Sequence, residues 1–302
     1  CFAVLLGAPA AFAQTQTAPP APPAAPTPHV APTAPAGLSW QRYTRASEVV
    51  LQNVAAFVRV RPEDREDVAV AIHNQGPLAA PTLRRSGRRL VIDGRQRGQI
   101  RGCTVRGAAG FEVETARQVR IGGAQLPIIE LRVPERAFVS VNGAARMHVT
   151  SAQSAKIRLD GCGDVDIERV EDDAEVSVSH DAVLRIYDAG DLVAVLAGET
   201  AVHAGVVRDG LTVSVAGPGV FNAVRADGPT SVVIQGPGEA NIRAGNAEDL
   251  SVVINGPGRV THSGRAESLD AVVIGPGAVR VRDVEGEIGR SVIGGGEVIV
   301  GR

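Results

Sequence analysis

Two stretches decide the fold: Ser231-Val-Val-Ile-Gln-Gly-Pro-Gly-Glu-Ala-Asn-Ile-Arg243 and Ser251-Val-Val-Ile-Asn-Gly-Pro-Gly-Arg-Val-Thr-His-Ser263. They are two copies of one sentence, twenty residues apart. With the first glycine of each Gly-Pro-Gly as a mark, the copies fall at Gly217, Gly236, Gly256, Gly275 and Gly294. The same pattern runs back through Gly198, His180, Gly161 and Gly143. Nine copies at 18–20 residues are a repeat architecture, in which each unit buries a face only against its neighbours.

Aligned on the mark, the copies assign each position a role. Two residues before it stand Val141, Leu159, Val178, Leu196, Val215, Ile234, Ile254, Val273 and Val292. Four after it stand Met147, Val165, Leu184, Val202, Phe221, Ala240, Val260, Val279 and Val298. Six after it stand Val149, Ile167, Ile186, Ala204, Ala223, Ile242, His262, Val281 and Val300. Between these columns the residues are mostly polar, and alternation at period two describes strands with one buried face. Gly217-Pro218-Gly219, Gly236-Pro237-Gly238, Gly256-Pro257-Gly258 and Gly275-Pro276-Gly277 read as turns, with Gly161 and Gly163 in the same role earlier. Proline presets φ near −65°, so the glycine after it is expected to take the positive φ of a type II turn. The expected fold is all-β: a single-stranded parallel β-solenoid over 136–302, right-handed by the general preference of parallel crossovers.

Repeated Val-x-Ile-x-Gly-x-Gly sentences, closing on Ser291-Val-Ile-Gly-Gly-Gly-Glu-Val-Ile-Val300, resemble the head GIN domain family of auto-transporter adhesins. The resemblance covers about Val49–Arg302. It implies a β-helix in an exported bacterial protein that acts in adhesion. The family's Gly-Ser-Gly-Asp turn is matched only by Gly161-Cys162-Gly163-Asp164, and later turns continue with Val220, Glu239, Arg259 or Ala278. The resemblance therefore implies no column of turn aspartates here. It does imply partnered cysteines. Cys103 and Cys162 stand in contexts matching the family's, and two thiols in an oxidising compartment usually pair. Two free thiols are the alternative.

Ahead of the repeats, the sequence changes character three times. Residues 1–13 form an apolar run ending in Ala-Phe-Ala, which reads as the end of an export signal. The run follows Cys1 instead of preceding it, which argues against a lipoprotein anchor, and it is too short to span a bilayer. Residues 14–38 are Pro/Ala/Thr-rich and read as an extended tether. Residues 39–135 carry strands at Val49–Val60, Val68–Ile72, Leu90–Ile92 and Phe111–Val113 without a clean period, and read as irregular first turns and a cap. Basic loops at Arg84–Arg89 and Arg95–Arg106 read as a solvated cap face, with an anionic glycan or headgroup as the alternative.

The net charge of −2 gives no footprint for nucleic acid. No nucleophile elbow, metalloprotease helix, phosphate loop or calcium nonapeptide series occurs, and no cofactor or metal site is expected. One acidic group stands out: Asp160, Asp164, Asp166 and Glu168 share outward parity around one turn, as carboxylates do in β-helix enzymes that cleave polysaccharides. Such acids more often form a solvated face. Aromatics, at 3%, are too few to stack on sugars. His262 occupies an inward column and reads as a hydrogen-bonded core histidine. The sequence thus points to a noncatalytic, exported envelope scaffold in the periplasm, at the surface or secreted. Its expected partners are envelope proteins or glycans, and stacking through solenoid ends or edges would give a homo-oligomer. A carbohydrate-binding or carbohydrate-cleaving β-helix, or a self-assembling envelope protein, is the alternative.

Overall fold

The structure, a computed structural model, describes residues 39–106 and 110–301. The signal-like run 1–13 and the tether 14–38 lie outside the described residues. The N-terminal part comprises β1 (Gln41–Thr44), β2 (Glu48–Glu63), β3 (Asp67–His73), β4 (Thr82–Ser86) and β5 (Arg89–Asp93). β6 (Ile100–Arg106), β7 (Gly110–Thr115), β8 (Arg120–Gly122) and β9 (Ile128–Pro134) follow, with a short 3-10 turn at Gly123–Gln125. The repeats supply β10 (Arg136–Val149), β11 (Ser154–Ser179), β12 (Ala182–Ala197), β13 (Ala201–Ala216), β14 (Val220–Ala226) and β15 (Gly228–Gln235). They end with β16 (Glu239–Ile242), β17 (Asn246–Asn255), β18 (Arg259–Ile274), β19 (Ala278–Val284), β20 (Ile288–Ile293) and β21 (Glu297–Val300).

From β10 onward every named strand pairing is parallel, each coil lying on the one before, and the register is the one the repeat predicts. Met147 pairs with Val165, Val165 with Leu184, Leu184 with Val202 and Val202 with Phe221. The same column continues through Ala240, Val260, Val279 and Val298. In the column before the mark, Leu196, Val215, Ile234, Ile254 and Val273 stack in order and are fully buried. Burying each such side chain contributes roughly 1.5–3 kcal/mol, so the ladders are the main source of stability. Val292, in the last coil, is 42% exposed because no further coil lies on it among the described residues.

The solenoid begins before the clean repeats do. β2 already lies in parallel register with β10, pairing Leu51 with Val141 and Val58 with Met147. On its other edge β2 pairs with β5 and β9 in parallel. β3 then adds to β9, β1 to β3 and β4 to β5, all antiparallel. These antiparallel additions cover the first coil, as a solenoid end requires.

The turns correct one expectation. Positive φ falls on the first glycine of each Gly-Pro-Gly, +102° at Gly236 and +116° at Gly256, and not on the glycine after proline. Gly238 is needed for a different reason. A Cβ there would stand 2.5 Å from Val215 Cγ1 and 2.9 Å from the Gly217 carbonyl oxygen, so a side chain would push the coils apart. His180 fills the mark position in its own copy and adopts φ +66° without being glycine.

Candidate functional site

The candidate acids lie where a second, smaller sheet meets the solenoid wall. β6, β7 and β8 form an antiparallel sheet separate from the coils. Alternation gives this sheet one apolar face, carrying Phe111, Val113 and Ile121, which packs with outward-facing Ala55, Phe57 and Ala144 of the first two coils. Phe57 and Phe111 meet edge to face, with ring centroids 5.7 Å apart. Cys103 of β6 is disulfide-bonded to Cys162 of β11, with the two Cα atoms 5.9 Å apart. The implied pairing is therefore present, and it fastens this small sheet, the flap, to the third coil.

Asp164 and Asp166 are not on a solvated face. Both point outward from β11, yet they are 0% and 2% exposed. The expectation of solvent-facing acids fails for these two, which pack with Arg146 and Arg185 of the neighbouring coils. Arg146, stacked on Asp164 in register, is 3% exposed and stands 4.0 Å from it. Arg185, opposite Asp166, donates from one guanidinium nitrogen to both Asp164 and Asp166, the latter at 3.3 Å. Burial opposes the Arg185 charge, but the two carboxylates outweigh it and hold its pKa above the ordinary value. The neighbouring Tyr187 hydroxyl is pushed up by burial and by the Asp166 charge.

The other two acids are held apart from this pair. Asp160 accepts hydrogen bonds from Asn142 Nδ2 at 3.0 Å and Ser179 Oγ at 2.9 Å, and its carboxylate lies 3.0 Å from His180 Nδ1. Glu168 faces His148 Nε2 at 3.1 Å. The structure thus brings two of the four acids together, on a shared arginine. Arg146 is legible in the sequence as the residue one copy before Asp164, where it breaks the acidic column. Its pairing with the acids is not, and Arg185, one copy after Asp166, carries the same unread signal.

Down the same wall a polar ladder continues the column of Asp166 and Arg185. Asn241 Nδ2 donates to Asn222 Oδ1 at 3.2 Å, and Asn222 Nδ2 lies 3.4 Å from His203 Nδ1. His203 is held below the ordinary histidine range by burial, then by the charges of Arg185 and Arg243. His262 is a core residue, as expected, but not a hydrogen-bonded one. It is 0% exposed, and neither ring nitrogen has a hydrogen-bond partner. Burial alone lowers its pKa to about 4.

Among the described residues no group of three or more His, Cys, Asp or Glu side chains is placed to hold a metal ion. No helix among them is long and apolar enough to cross a membrane.

Comparison with solved structures finds proteins of similar extent. One is named "putative adhesin" from Parabacteroides distasonis ATCC 8503, with 17% identity and a TM-score of 0.46, covering 87% of this chain and 96% of that one. A second, "Putative lipid binding protein" from the same organism, has 13% identity and a TM-score of 0.48, covering 90% and 100%. A third, "putative adhesin" from Parabacteroides merdae ATCC 43184, has 14% identity and a TM-score of 0.40, covering 91% and 100%. No protein-family model and no curated protein matches the chain, so its likeness to the head GIN domain stays a resemblance.

Proposed function

We propose that this chain is an exported, noncatalytic scaffold of the cell envelope, adhesin-like in its use of a long, regular side wall to meet surface or matrix partners. The observation that carries the reading is the state of Asp164 and Asp166. Cleaving a glycosidic bond needs two carboxylates in different protonation states beside an open groove. Here both are buried and share one arginine of the next coil, an arrangement suited to holding adjacent coils together. Export is supported by the Ala-Phe-Ala signal-like segment and by the Cys103–Cys162 disulfide, a bond that persists in oxidising compartments. Membership of the head GIN domain family, supported by the repeat sentences, fits the same role.

The test is incubation of the purified protein with neutral and acidic polysaccharides, followed by assay of new reducing or unsaturated ends. None are expected. Ends released by the wild-type chain and not by Asp164→Asn/Asp166→Asn would replace the scaffold with an enzyme.

A further inference from the structure

A second feature of the wall begins four coils beyond the disulfide-linked third coil. A lateral recess of about 430 Å³ opens there across the last four coils. Its walls are Arg243, Ser263, Arg265 and Arg282, with Asn246 and Asp283 beside them. Arg243, Ser263 and Arg282 are successive members of one outward column, seven residues after the marks at Gly236, Gly256 and Gly275. Coil stacking at about 4.8 Å sets the two arginines roughly 10 Å apart along the axis. Arg265 is already engaged, 3.0 Å from Glu285 and 3.8 Å from Asp283. Arg243 and Arg282 have no acidic partner among the described residues.

The floor is bare backbone, and it has to be. A Cβ on Gly245 would stand 1.7 Å from the Ala226 carbonyl oxygen, and one on Gly264 would stand 2.2 Å from that of Gly245. The glycines keep the coils close and leave the space above them empty of side chains. The volume lies within the usual range for small-ligand sites.

We propose that this recess binds a segment of an acidic polysaccharide, with Arg243 and Arg282 each taking the carboxylate or sulfate of a different unit. A planar guanidinium matches such oxyanions with paired hydrogen bonds. Ser263 and Asn246 supply groups suited to ring hydroxyls. The lining offers no apolar side chain larger than Ala244, which disfavours acyl chains. Two cations two coils apart address neighbouring charged units of an extended chain better than one isolated anion. This assignment names a ligand class for the noncatalytic scaffold and rests on that reading.

Isothermal titration of the full chain with tetrasaccharides of galacturonate, of guluronate and of chondroitin sulfate, beside a neutral galactose tetrasaccharide, tests it. At least one acidic tetrasaccharide should bind, the neutral one should not, and affinity should fall as salt rises. Arg243→Gln/Arg282→Gln should weaken binding at least tenfold with an unchanged thermal midpoint. Ser263→Trp, which fills the recess without altering charge, should do the same and serves if the double variant misfolds. The proposal is overturned if no acidic tetrasaccharide binds, or if binding survives both changes. It is also overturned if only phosphatidylglycerol vesicles are bound and the arginine changes abolish that. New sugar ends during titration would contradict the noncatalytic reading and leave the binding assignment standing; silence in the titration would do the reverse.

Discussion

Asp166 lies directly opposite Arg185 in the ladder between the third and fourth coils, and the same guanidinium also reaches Asp164. A buried ion pair contributes little beyond a well-packed apolar substitute, but removing one partner leaves a charge stranded. Arg185→Met is therefore expected to destabilise the protein by about 3 kcal/mol in denaturant unfolding. Asp164→Asn/Asp166→Asn in the same chain should recover part of that loss, and a triple variant no more stable than Arg185→Met would contradict the shared-charge account.

The turns provide a second prediction. Gly236→Ala forces an alanine into positive φ, at a cost of roughly 1–2 kcal/mol. Gly238→Ala places its methyl against Val215 and the Gly217 carbonyl, at a cost of roughly 1–3 kcal/mol. Gln235→Thr, on an exposed strand position, should shift the midpoint by less than about 0.5 kcal/mol. Equal midpoints for all three in urea would refute the turn geometry.

His262 makes stability depend on pH. Its folded pKa of about 4 lies below the ordinary 6.5, so the unfolded chain binds the proton more readily. The contribution is intact above pH 6.5 and is lost as pH falls from 6.5 towards 4, by about 3 kcal/mol in all. His262→Val should remove that part of the acid sensitivity and continue the apolar column between Ile242 and Val281. Unfolding curves at pH 7.5 and 4.5 that shift equally in both proteins would contradict this.

The disulfide closes a loop of 59 residues and holds the flap. Mass spectrometry without reductant should find one peptide pair linked through Cys103 and Cys162. Cys103→Ser/Cys162→Ser should lower stability by about 2–4 kcal/mol. Hydrogen exchange should rise first in β6, β7 and β8, while the later coils stay protected.

How much of this was legible in the sequence follows from what repeats. The columns of Val215, Ile234 and Ile254 are readable because identical coils must place identical residues in register. The burial of Asp164 and Asp166 is not readable, since parity gives the side of the strand they face and not their packing with Arg146 and Arg185. The docking of the single-copy sheet around Phe111 and Val113 is likewise encoded by no period. The positive φ was misplaced because Gly-Pro-Gly offers two glycines. The early copies held the answer: Ala145, Ala182 and Thr200 fill the third position of the turn, so that position does not demand a positive φ, while Gly143 and Gly198 keep the mark. His262 was placed correctly by parity, but parity carries no information about hydrogen-bond partners. Arg243 and Arg282 share a repeat position seven residues after their marks, but the period does not disclose the recess beside them.

The central claim is that the chain works outside the cytoplasm as an envelope scaffold, and fractionation of producing cells tests it most directly. Cells are quenched with a thiol-blocking reagent before lysis, and the protein is followed through cytosolic, envelope and medium fractions. The account predicts recovery from the envelope or the medium, with Cys103 and Cys162 refractory to labelling until reductant is added. Recovery with a cytosolic marker and both thiols labelled at once would contradict it.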